Sequence, residues 1–339
     1  MNRMLAFLFA LFAAHAAHAE IYELPPAGYD VIGAVSTITA REEDTLIDIA
    51  RRHGLGYQDI VRANPDVNVW VPGEGTKVVL PTQFVLPSGP RKGVILNLAE
   101  YRLYYFPEAK DGETAYVMTY PISIGRMDWE TPLGKTTVIS KVRNPSWYVP
   151  KSVLAEHAAE GRPLPRIVPP GPDNPLGKYA MRLGLPGYLI HGTNRPAGVG
   201  MRVTHGCVRM FPEDIEYLFG KIDVKTPVRI INEPVKMGWV GDALVMEVHP
   251  VLEVAMPQPE QGDAEENGEE PVEEIVEVVE VVEAKDPLTY VTEQFIATTA
   301  ERAGQLDWDL AEQLVERSDG IPVTVGEGIK NAAASAAFE

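Results

Sequence analysis

The chain has 339 residues, of which 45% are apolar and 23% charged, so it is long enough for two domains and is not a wholly disordered protein. Its formal net charge is −18, which argues against nucleic acid as a main partner because phosphate binding needs clustered Lys and Arg. The single cysteine, Cys207, excludes an intramolecular disulfide and a Cys-rich zinc site.

Residues 1–19 have the pattern of a cleavable secretory signal. Arg3 supplies positive charge, residues 4–14 are apolar, and Ala17-His18-Ala19 precedes Glu20. A membrane anchor is the alternative, but the apolar run is about half of the ~20 residues that a spanning helix needs. We therefore expect cleavage after Ala19 and an exported, periplasmic protein without a transmembrane segment.

Residues 36–82 predict a small βααβ domain. Ser36–Ala40 alternates like a strand, and Asp44 or Thr45 can cap a first helix that Gly54 ends. Asn64-Pro65 ends a second helix, and Lys77–Leu80 closes the unit. The motifs D-T-L and A-N-P in this order resemble the LysM glycan-binding module. The resemblance implies binding of peptidoglycan glycan chains through Asp44, Thr45, Leu46, Asn64 and Pro65; a spacer that has lost sugar binding is the alternative.

Residues 92–233 predict a mainly β domain with a sandwich or barrel-like architecture. Residues 94–98 and 102–106 predict a hairpin. Further strands are predicted at 117–124, 136–141, 187–190 and 228–231, and the clearest helix is short, at 213–219.

Three segments follow this domain. Residues 234–254 contain a predicted strand at 243–249 and are expected to extend the β domain. Residues 256–285 hold eleven Asp and Glu against one Lys and are expected to be a solvated, disordered linker. Residues 286–318 predict a helical segment that docks on a partner or on the chain itself.

The residues that carry chemistry lie between Tyr188 and Met210. Cys207 follows His205 by two residues and His191 by sixteen, and a nearby imidazole can lower the pKa of a thiol and make it a nucleophile. Gly206 permits a tight turn whose N–H groups can form an oxyanion hole. The alternatives are a buried structural Cys207 and a metal site of His191, His205 and Cys207, which would need a fourth ligand.

The sequences I-H-G-T-N and T-H-G-C-V-R-M resemble the signature of the L,D-transpeptidase (YkuD-type) catalytic domain, in particular its periplasmic ErfK/YbiS-like branch. The resemblance implies that Cys207 is the acylated nucleophile and His191 the general base. It also implies that the carbonyl of Thr204 orients the imidazole, that His205 lines the site, and that Gly206 and Cys207 supply oxyanion N–H groups. No metal or cofactor is implied, and the substrate-binding residues are expected to be Arg209, Tyr188, Gly192, Thr193 and Asn194.

The implied reaction is acyl transfer on peptidoglycan. The thiolate attacks the stem peptide, a terminal D-alanine leaves, and an amine takes the acyl group, giving a 3→3 cross-link or attaching the lysine of an outer-membrane lipoprotein. Water as acceptor would give an L,D-carboxypeptidase. A non-catalytic peptidoglycan-binding scaffold and a papain-like peptidase are the alternatives from other classes, although in papain-like enzymes the cysteine precedes the histidine.

Overall fold

The computed structural model describes residues 20–110, 112–126, 131–252, 277–278 and 284–329. The predicted signal at 1–19 and nearly all of the predicted acidic linker lie outside these residues. Among the helices that are described, none combines the length and the hydropathy needed to cross a bilayer.

The described elements follow one another along the chain with strands in the majority. They are β1 (Glu20–Glu23), β2 (Val31–Gly33), β3 (Ser36–Thr39), α1 (Leu46–Arg52), α2 (Tyr57–Arg62), β4 (Lys77–Leu80), β5 (Gln83–Val85), β6 (Gly93–Asn97), β7 (Arg102–Phe106), β8 (Tyr116–Pro121), β9 (Ile124–Gly125), β10 (Gly134–Arg143), β11 (Trp147–Tyr148), α3 (Lys151–Ala159), β12 (Ile167–Val168), β13 (Tyr179–Leu183), β14 (Leu189–His191), β15 (Arg202–Thr204), β16 (Val208–Arg209), α4 (Pro212–Phe219), β17 (Pro227–Ile231), β18 (Val235–Val240), β19 (Ala243–Val248), β20 (Glu277–Val278), α5 (Pro287–Thr299), β21 (Gly304–Leu306), α6 (Trp308–Arg317) and β22 (Val323–Gly328).

The βααβ unit forms as its sequence pattern predicts. Strands β3 and β4 pair antiparallel, and helices α1 and α2 pack against them through the fully buried Leu46, Ile49 and Ile60. Helix α1 begins after Thr45, whose hydroxyl accepts the N–H of Asp48 at 3.0 Å and satisfies one of the free donors at the helix start.

One large sheet carries the middle of the chain, in the order β1-β8-β7-β6-β17-β10-β13-β14-β16, with β20 added on β10. Alternate residues of a strand face opposite sides of a sheet. Leu96 and Leu103 therefore face one core, while Ile95 and Tyr104 face a second core that includes α1 and α2. Because both faces are covered, β6 and β7 are buried along their whole length, which explains their nearly unbroken apolar sequence.

The fold class predicted from the sequence is confirmed, since the described residues are mainly β with short helices. The predicted helix at 213–219 corresponds to α4, which begins one residue earlier at Pro212. The sequence analysis did not predict α3 or the small β11–β12 pair. Both lie in the connection between β10 and β13, where the sequence pattern predicts no helix or strand.

The C-terminal part differs from the sequence expectation. Strands β18 and β19, expected to extend the β domain, form a separate sheet in the order β18-β19-β22-β21. Helices α5 and α6 pack on this sheet through Val291 and Leu314, which share a core with Trp239. Helices α5 and α6 are therefore part of one unit with β18 and β19, and β22, which follows α6 along the chain, pairs with β19.

A buried ion cluster joins this C-terminal unit to the large sheet. The ammonium of Lys236 donates to Glu100 Oε2 at 2.7 Å, to the Val85 carbonyl at 2.7 Å and to Glu247 Oε1 at 3.0 Å. Glu247 also contacts His249 Nε2 at 2.6 Å. Burial opposes the charge on Lys236, but Glu100 and Glu247 raise the pKa of this side chain, so it is charged in the folded protein.

We predict that Lys236→Met lowers the free energy of unfolding by about 3–5 kcal/mol, because it leaves two buried carboxyl groups without their cation. Chemical denaturation followed by circular dichroism measures this loss. Lys92→Met is the matched control, since Lys92 is exposed, and it should change stability by less than about 0.5 kcal/mol. Equal losses in the two variants would contradict a structural role for the cluster.

Candidate active site

The candidate site is assembled by a parallel pairing between β14 and β16. Ile190 lies opposite Val208 and His191 opposite Arg209, and the N–H of Met210 donates to the His191 carbonyl at 2.9 Å. The sixteen residues 192–207, between the end of β14 and the start of β16, form the crossover that a parallel pair requires. The pairing thus brings the end of β14 beside the turn that carries Cys207.

The turn before β16 has a backbone that favours glycine. Gly206 has a φ of +94°, in the region that L side chains rarely adopt. Two threonine hydroxyls donate to backbone carbonyls of this turn. Thr204 Oγ1 donates to the Cys207 carbonyl at 2.6 Å, and Thr131 Oγ1 donates to the Gly206 carbonyl at 2.7 Å. Among the described residues, no acceptor pairs with the backbone N–H of Gly206 or Cys207, so both remain able to bind a developing oxyanion.

The thiol of Cys207 is half-buried and protonated at neutral pH. Its sulfur lies 3.6 Å from the carbonyl of Gly187, to which it donates, in the turn between β13 and β14. Burial raises the pKa of this thiol to about 11, although a backbone hydrogen bond from Leu189 and the charge of Arg209 act in the opposite direction. The low thiol pKa expected from a neighbouring imidazole is therefore wrong for this resting geometry.

The imidazole of His191 is buried, with 4% of its surface exposed. Its Nδ1 lies 2.6 Å from the Gly192 carbonyl, and because a carbonyl only accepts, this contact assigns the proton to Nδ1. The Leu176 carbonyl is a second backbone partner of the ring, and both carbonyls act to raise the pKa of His191. Burial, together with the positive charge of Arg209, lowers the pKa of His191 to about 3, so the ring is neutral at neutral pH.

Thr204 has partners other than those implied by the family resemblance. Its backbone carbonyl accepts the N–H of Arg126 at 3.0 Å, and its hydroxyl holds the Cys207 turn. The imidazole of His191 is hydrogen-bonded to the carbonyls of Gly192 and Leu176. The contacts of Thr204 described here support the turn of Cys207.

An acidic side chain that the sequence analysis missed contacts the site. Glu156, on α3, accepts from His205 Nε2 at 2.8 Å and also pairs with Arg126. The hydrogen bond from Arg126, followed by that from His205, lowers the pKa of Glu156, so it is ionised. The alanine-rich run S-V-L-A-E-H-A-A after Pro150 was a helix signal that could have placed Glu156 on an ordered element.

The expected substrate-binding residues surround the same turn. Arg209 is half-buried, and its Nε has no hydrogen-bond partner among the described residues. Gly192 and Thr193 are buried at the end of β14, whereas Asn194 is exposed. Tyr188 lies in the β13–β14 turn and packs against the core, one residue after the carbonyl that receives the Cys207 thiol.

In the βααβ unit, most of the side chains expected to bind glycan make contacts within the unit itself. Asp44 accepts from Arg52 at 2.7 Å, Leu46 is fully buried, and the Asn64 amide bonds both backbone groups of Val79. Thr45 is the helix cap, which leaves Pro65 exposed. The exposed Trp70 and Val71 lie on the same loop as Asn64 and Pro65, and the sequence analysis did not single them out.

The metal alternative drawn from His191, His205 and Cys207 does not match the geometry. Within the described part of the chain, the His, Cys, Asp and Glu side chains that converge to within 4.8 Å are Glu100, Glu247 and His249. The ammonium of Lys236 already binds two of these three groups.

We predict that the rate of alkylation of Cys207 by iodoacetamide rises about tenfold per pH unit from about pH 7 to pH 10, because only the thiolate reacts and burial raises its pKa to about 11. Stopped-flow or mass-spectrometric kinetics measure this profile on the only thiol of the chain. The same protein in denaturant is the control and should titrate near the ordinary pKa of about 8.5. A plateau below about pH 8 in the folded protein would contradict the prediction.

Two known protein families match two separate parts of the chain. Residues 91–230 match the YkuD family, described as the L,D-transpeptidase catalytic domain, and residues 38–73 match the LysM domain family. The chain is 35% identical to "Probable L,D-transpeptidase ErfK/SrfK" of Salmonella typhimurium over 97% of this chain and 99% of the relative. It is 40% identical to "Probable L,D-transpeptidase YbiS" of Escherichia coli over 74% of this chain and 83% of the relative.

Among solved structures, the catalytic domain of the E. faecium L,D-transpeptidase is 21% identical, with a TM-score of 0.31, over 42% of this chain and 100% of that chain. The identity and coverage of the Salmonella typhimurium relative assign the protein on sequence alone: the chain belongs to the L,D-transpeptidase family and carries a LysM domain before its catalytic domain.

Proposed function

We propose that this protein is a peptidoglycan L,D-transpeptidase in which Cys207 is the nucleophile and His191 the general base. The observation that carries the proposal is the β14–β16 pairing, which places the buried residue His191 opposite Arg209, two residues after Cys207. Neutral thiol and neutral imidazole are the protonation states from which a base-assisted attack begins.

In the first half of the reaction, Cys207 passes its proton to Nε2 of His191 as the sulfur attacks the carbonyl of the diamino acid in a tetrapeptide stem. The carbonyl oxygen becomes an oxyanion, which the N–H groups of Gly206 and Cys207 stabilise; one such donor is typically worth about 2.7–4 kcal/mol. The tetrahedral intermediate collapses, the bond to D-alanine breaks, and the leaving amine takes the proton from His191. A thioester remains on Cys207.

In the second half, an acceptor amine attacks the thioester and passes its proton to His191. The carbon–sulfur bond then breaks, an amide forms, and the sulfur recovers its proton. An amine on another stem gives a 3→3 cross-link, the lysine of a lipoprotein gives an anchored lipoprotein, and water gives hydrolysis. The guanidinium charge of Arg209, which lies opposite His191, supports a role for this side chain in binding a substrate carboxylate, together with the proposed substrate-binding residues Tyr188, Gly192, Thr193 and Asn194.

The LysM domain binds the glycan of the same polymer in this proposal, and the signal at residues 1–19 directs the protein to the periplasm, where that polymer lies. Because Asp44, Leu46 and Asn64 are buried, the exposed residues of the same loop are the parts available to the sugar. Trp70, with 65% of its surface exposed, offers an aromatic face beside Pro65 of the kind on which sugar rings stack.

We predict that wild-type protein incubated with a disaccharide tetrapeptide forms a covalent adduct of the substrate minus D-alanine, visible by intact-mass spectrometry. Cys207→Ala removes the nucleophile and should give no adduct and no product, while His191→Asn should slow adduct formation by about 10²–10⁴-fold. Loss of one D-alanine with dimer formation supports transpeptidation. Cleavage at an internal bond, or turnover by Cys207→Ala, would contradict it.

We also predict that Glu156→Gln lowers kcat by about tenfold or more, because it weakens the contact that holds His205 beside the nucleophile and small displacements in a site are costly. Glu160→Gln is the control, since Glu160 lies just beyond the same helix and pairs with the exposed Arg162. Equal activity of the two variants, measured on the disaccharide tetrapeptide, would contradict a role of Glu156 in the reaction.

A further inference from the structure

The LysM domain contacts the catalytic domain on both sides of Cys207 along the chain. Its contact region is the α1–α2 corner, which we define as residues 51–59. One set of contacts reaches Val199 and Gly200, eight and seven residues before Cys207, and the other reaches Phe211 and Glu213, four and six residues after it.

The first set of contacts is made by the start of helix α2. The N–H of Tyr57 donates to the Val199 carbonyl at 3.0 Å, and the N–H of Gln58 to the Gly200 carbonyl at 3.3 Å. These are two of the N–H groups that a helix leaves free in its first turn. The crossover loop between β14 and β15 therefore satisfies donors of the LysM helix, and both partners are backbone atoms.

Two glycines allow this close approach. A Cβ on Gly200 would lie 2.4 Å from the nitrogen of Tyr57 and 2.5 Å from the Cα of Gly56, and a Cβ on Gly56 would lie 2.7 Å from the Cα of Gly200. Gly200 also has a φ of +86°, which favours glycine independently of the contact. No side chain fits between the two backbones, so the position of the loop follows the position of the helix.

The second set of contacts is made by Arg51. Its guanidinium forms two hydrogen bonds with Glu213, from Nε to Oε1 at 2.7 Å and from Nη2 to Oε2 at 2.8 Å. It also lies over the ring of Phe211, 5.4 Å from the ring centre. Paired hydrogen bonds of this kind fix orientation as well as distance, and Glu213 lies in the first turn of α4, directly after the strand that follows Cys207.

The two contact sets are connected behind the nucleophile. Ser123 Oγ donates to the Gly198 carbonyl at 2.8 Å, next to the loop that receives the LysM helix. The backbone of Ser123 exchanges hydrogen bonds of 2.8 and 3.0 Å with Arg209, two residues after Cys207. Hydrogen bonds of Ser123 thus connect the loop before Val199 and Gly200 with the strand that follows Cys207.

Arg102 anchors the α1–α2 corner to the sheet. This buried side chain of β7 donates to Asp59 at 2.6 Å and to the Gly54 carbonyl at 3.3 Å. Asp59 in turn accepts the N–H of Gly56 at 2.9 Å, the residue before the helix start. The corner is therefore fixed to the catalytic sheet, and a fixed corner can hold a loop in place.

From these contacts we propose that the LysM domain is a positioning element of the active site, which holds the segment of residues 196–213 in its reactive geometry by binding it on both sides of Cys207. The proposal rests on the assignment of Cys207 as the nucleophile. It predicts that the domain contributes to turnover of a small soluble substrate, for which attachment to the polymer gives no advantage.

The first test deletes one backbone donor. Tyr57→Pro removes the N–H that bonds Val199, at the first helical position, where proline is well tolerated. Tyr57→Ala removes the side chain and keeps the N–H, so it is the matched control. On a disaccharide tetrapeptide, we expect Tyr57→Pro to lower kcat by about 10- to 100-fold with little change in KM, and Tyr57→Ala to remain within a few-fold of wild type.

The second test reverses the ion pair. Arg51→Glu and Glu213→Arg each oppose like charges and should lower kcat, whereas the double variant restores the pair and should recover most of the loss. Arg41→Gln, at an exposed position of the LysM domain, is the control without effect. Equal melting temperatures and equal sedimentation with insoluble peptidoglycan establish that the single variants are folded and still bind glycan.

Alkylation of Cys207 gives a readout that does not depend on the proposed reaction. When the segment loosens, water reaches the sulfur, and the midpoint of the iodoacetamide pH profile should fall toward the ordinary thiol pKa in Tyr57→Pro and in both single charge variants, but not in the controls. An unchanged midpoint together with unchanged kcat would overturn the proposal and leave the LysM domain as a tether. Absence of an adduct on wild-type protein would instead refute the proposed function.

Discussion

The parallel register of β14 with β16 is the constraint on which the site depends. Two strands of two or three residues contribute little stability by themselves, yet their pairing sets His191 opposite Arg209. A one-residue slip would turn His191 to the other face of the sheet. Further backbone hydrogen bonds stabilise this register: Ser123 exchanges two with Arg209, and the Met210 N–H donates to the His191 carbonyl. The surrounding β domain thus serves to fix one short pairing.

Burial then determines how the pair can react. An exposed cysteine–histidine pair can exchange its proton in the resting state, but here burial raises the pKa of Cys207 and lowers that of His191, so both changes favour the neutral forms. In the proposed reaction, charge separation is therefore postponed until substrate is bound, when the oxyanion donors and the leaving group can share the charge. The resting thiol is thereby protected from oxidation and alkylation, because the thiolate is the reactive form.

Local patterns in the sequence predicted the elements that local interactions form. The LysM helices, the β6–β7 hairpin and α4 were predicted because their caps, turns and apolar periods are contained within a few residues. The pairing of β19 with β22 was not predicted, since about seventy residues separate the strands and nothing local encodes a distant partner. Glu156 and Lys236 were missed for a related reason: a charged side chain looks solvated in a sequence, and its buried or distant partner appears only when the chain is folded.

The apolar sequence of β6 and β7 also explains why the LysM domain packs on the catalytic sheet. A sheet whose strands are apolar on both faces needs a second layer, and here that layer includes the LysM domain, whose core continues into Ile95 and Tyr104. A domain held by a shared core is not a module on a flexible linker. Its helix ends are therefore presented to the catalytic loop at a fixed place, which explains how short backbone contacts at Val199 and Gly200 can be satisfied. Covering the sheet and the proposed support of the Cys207 segment would thus both follow from one packing arrangement.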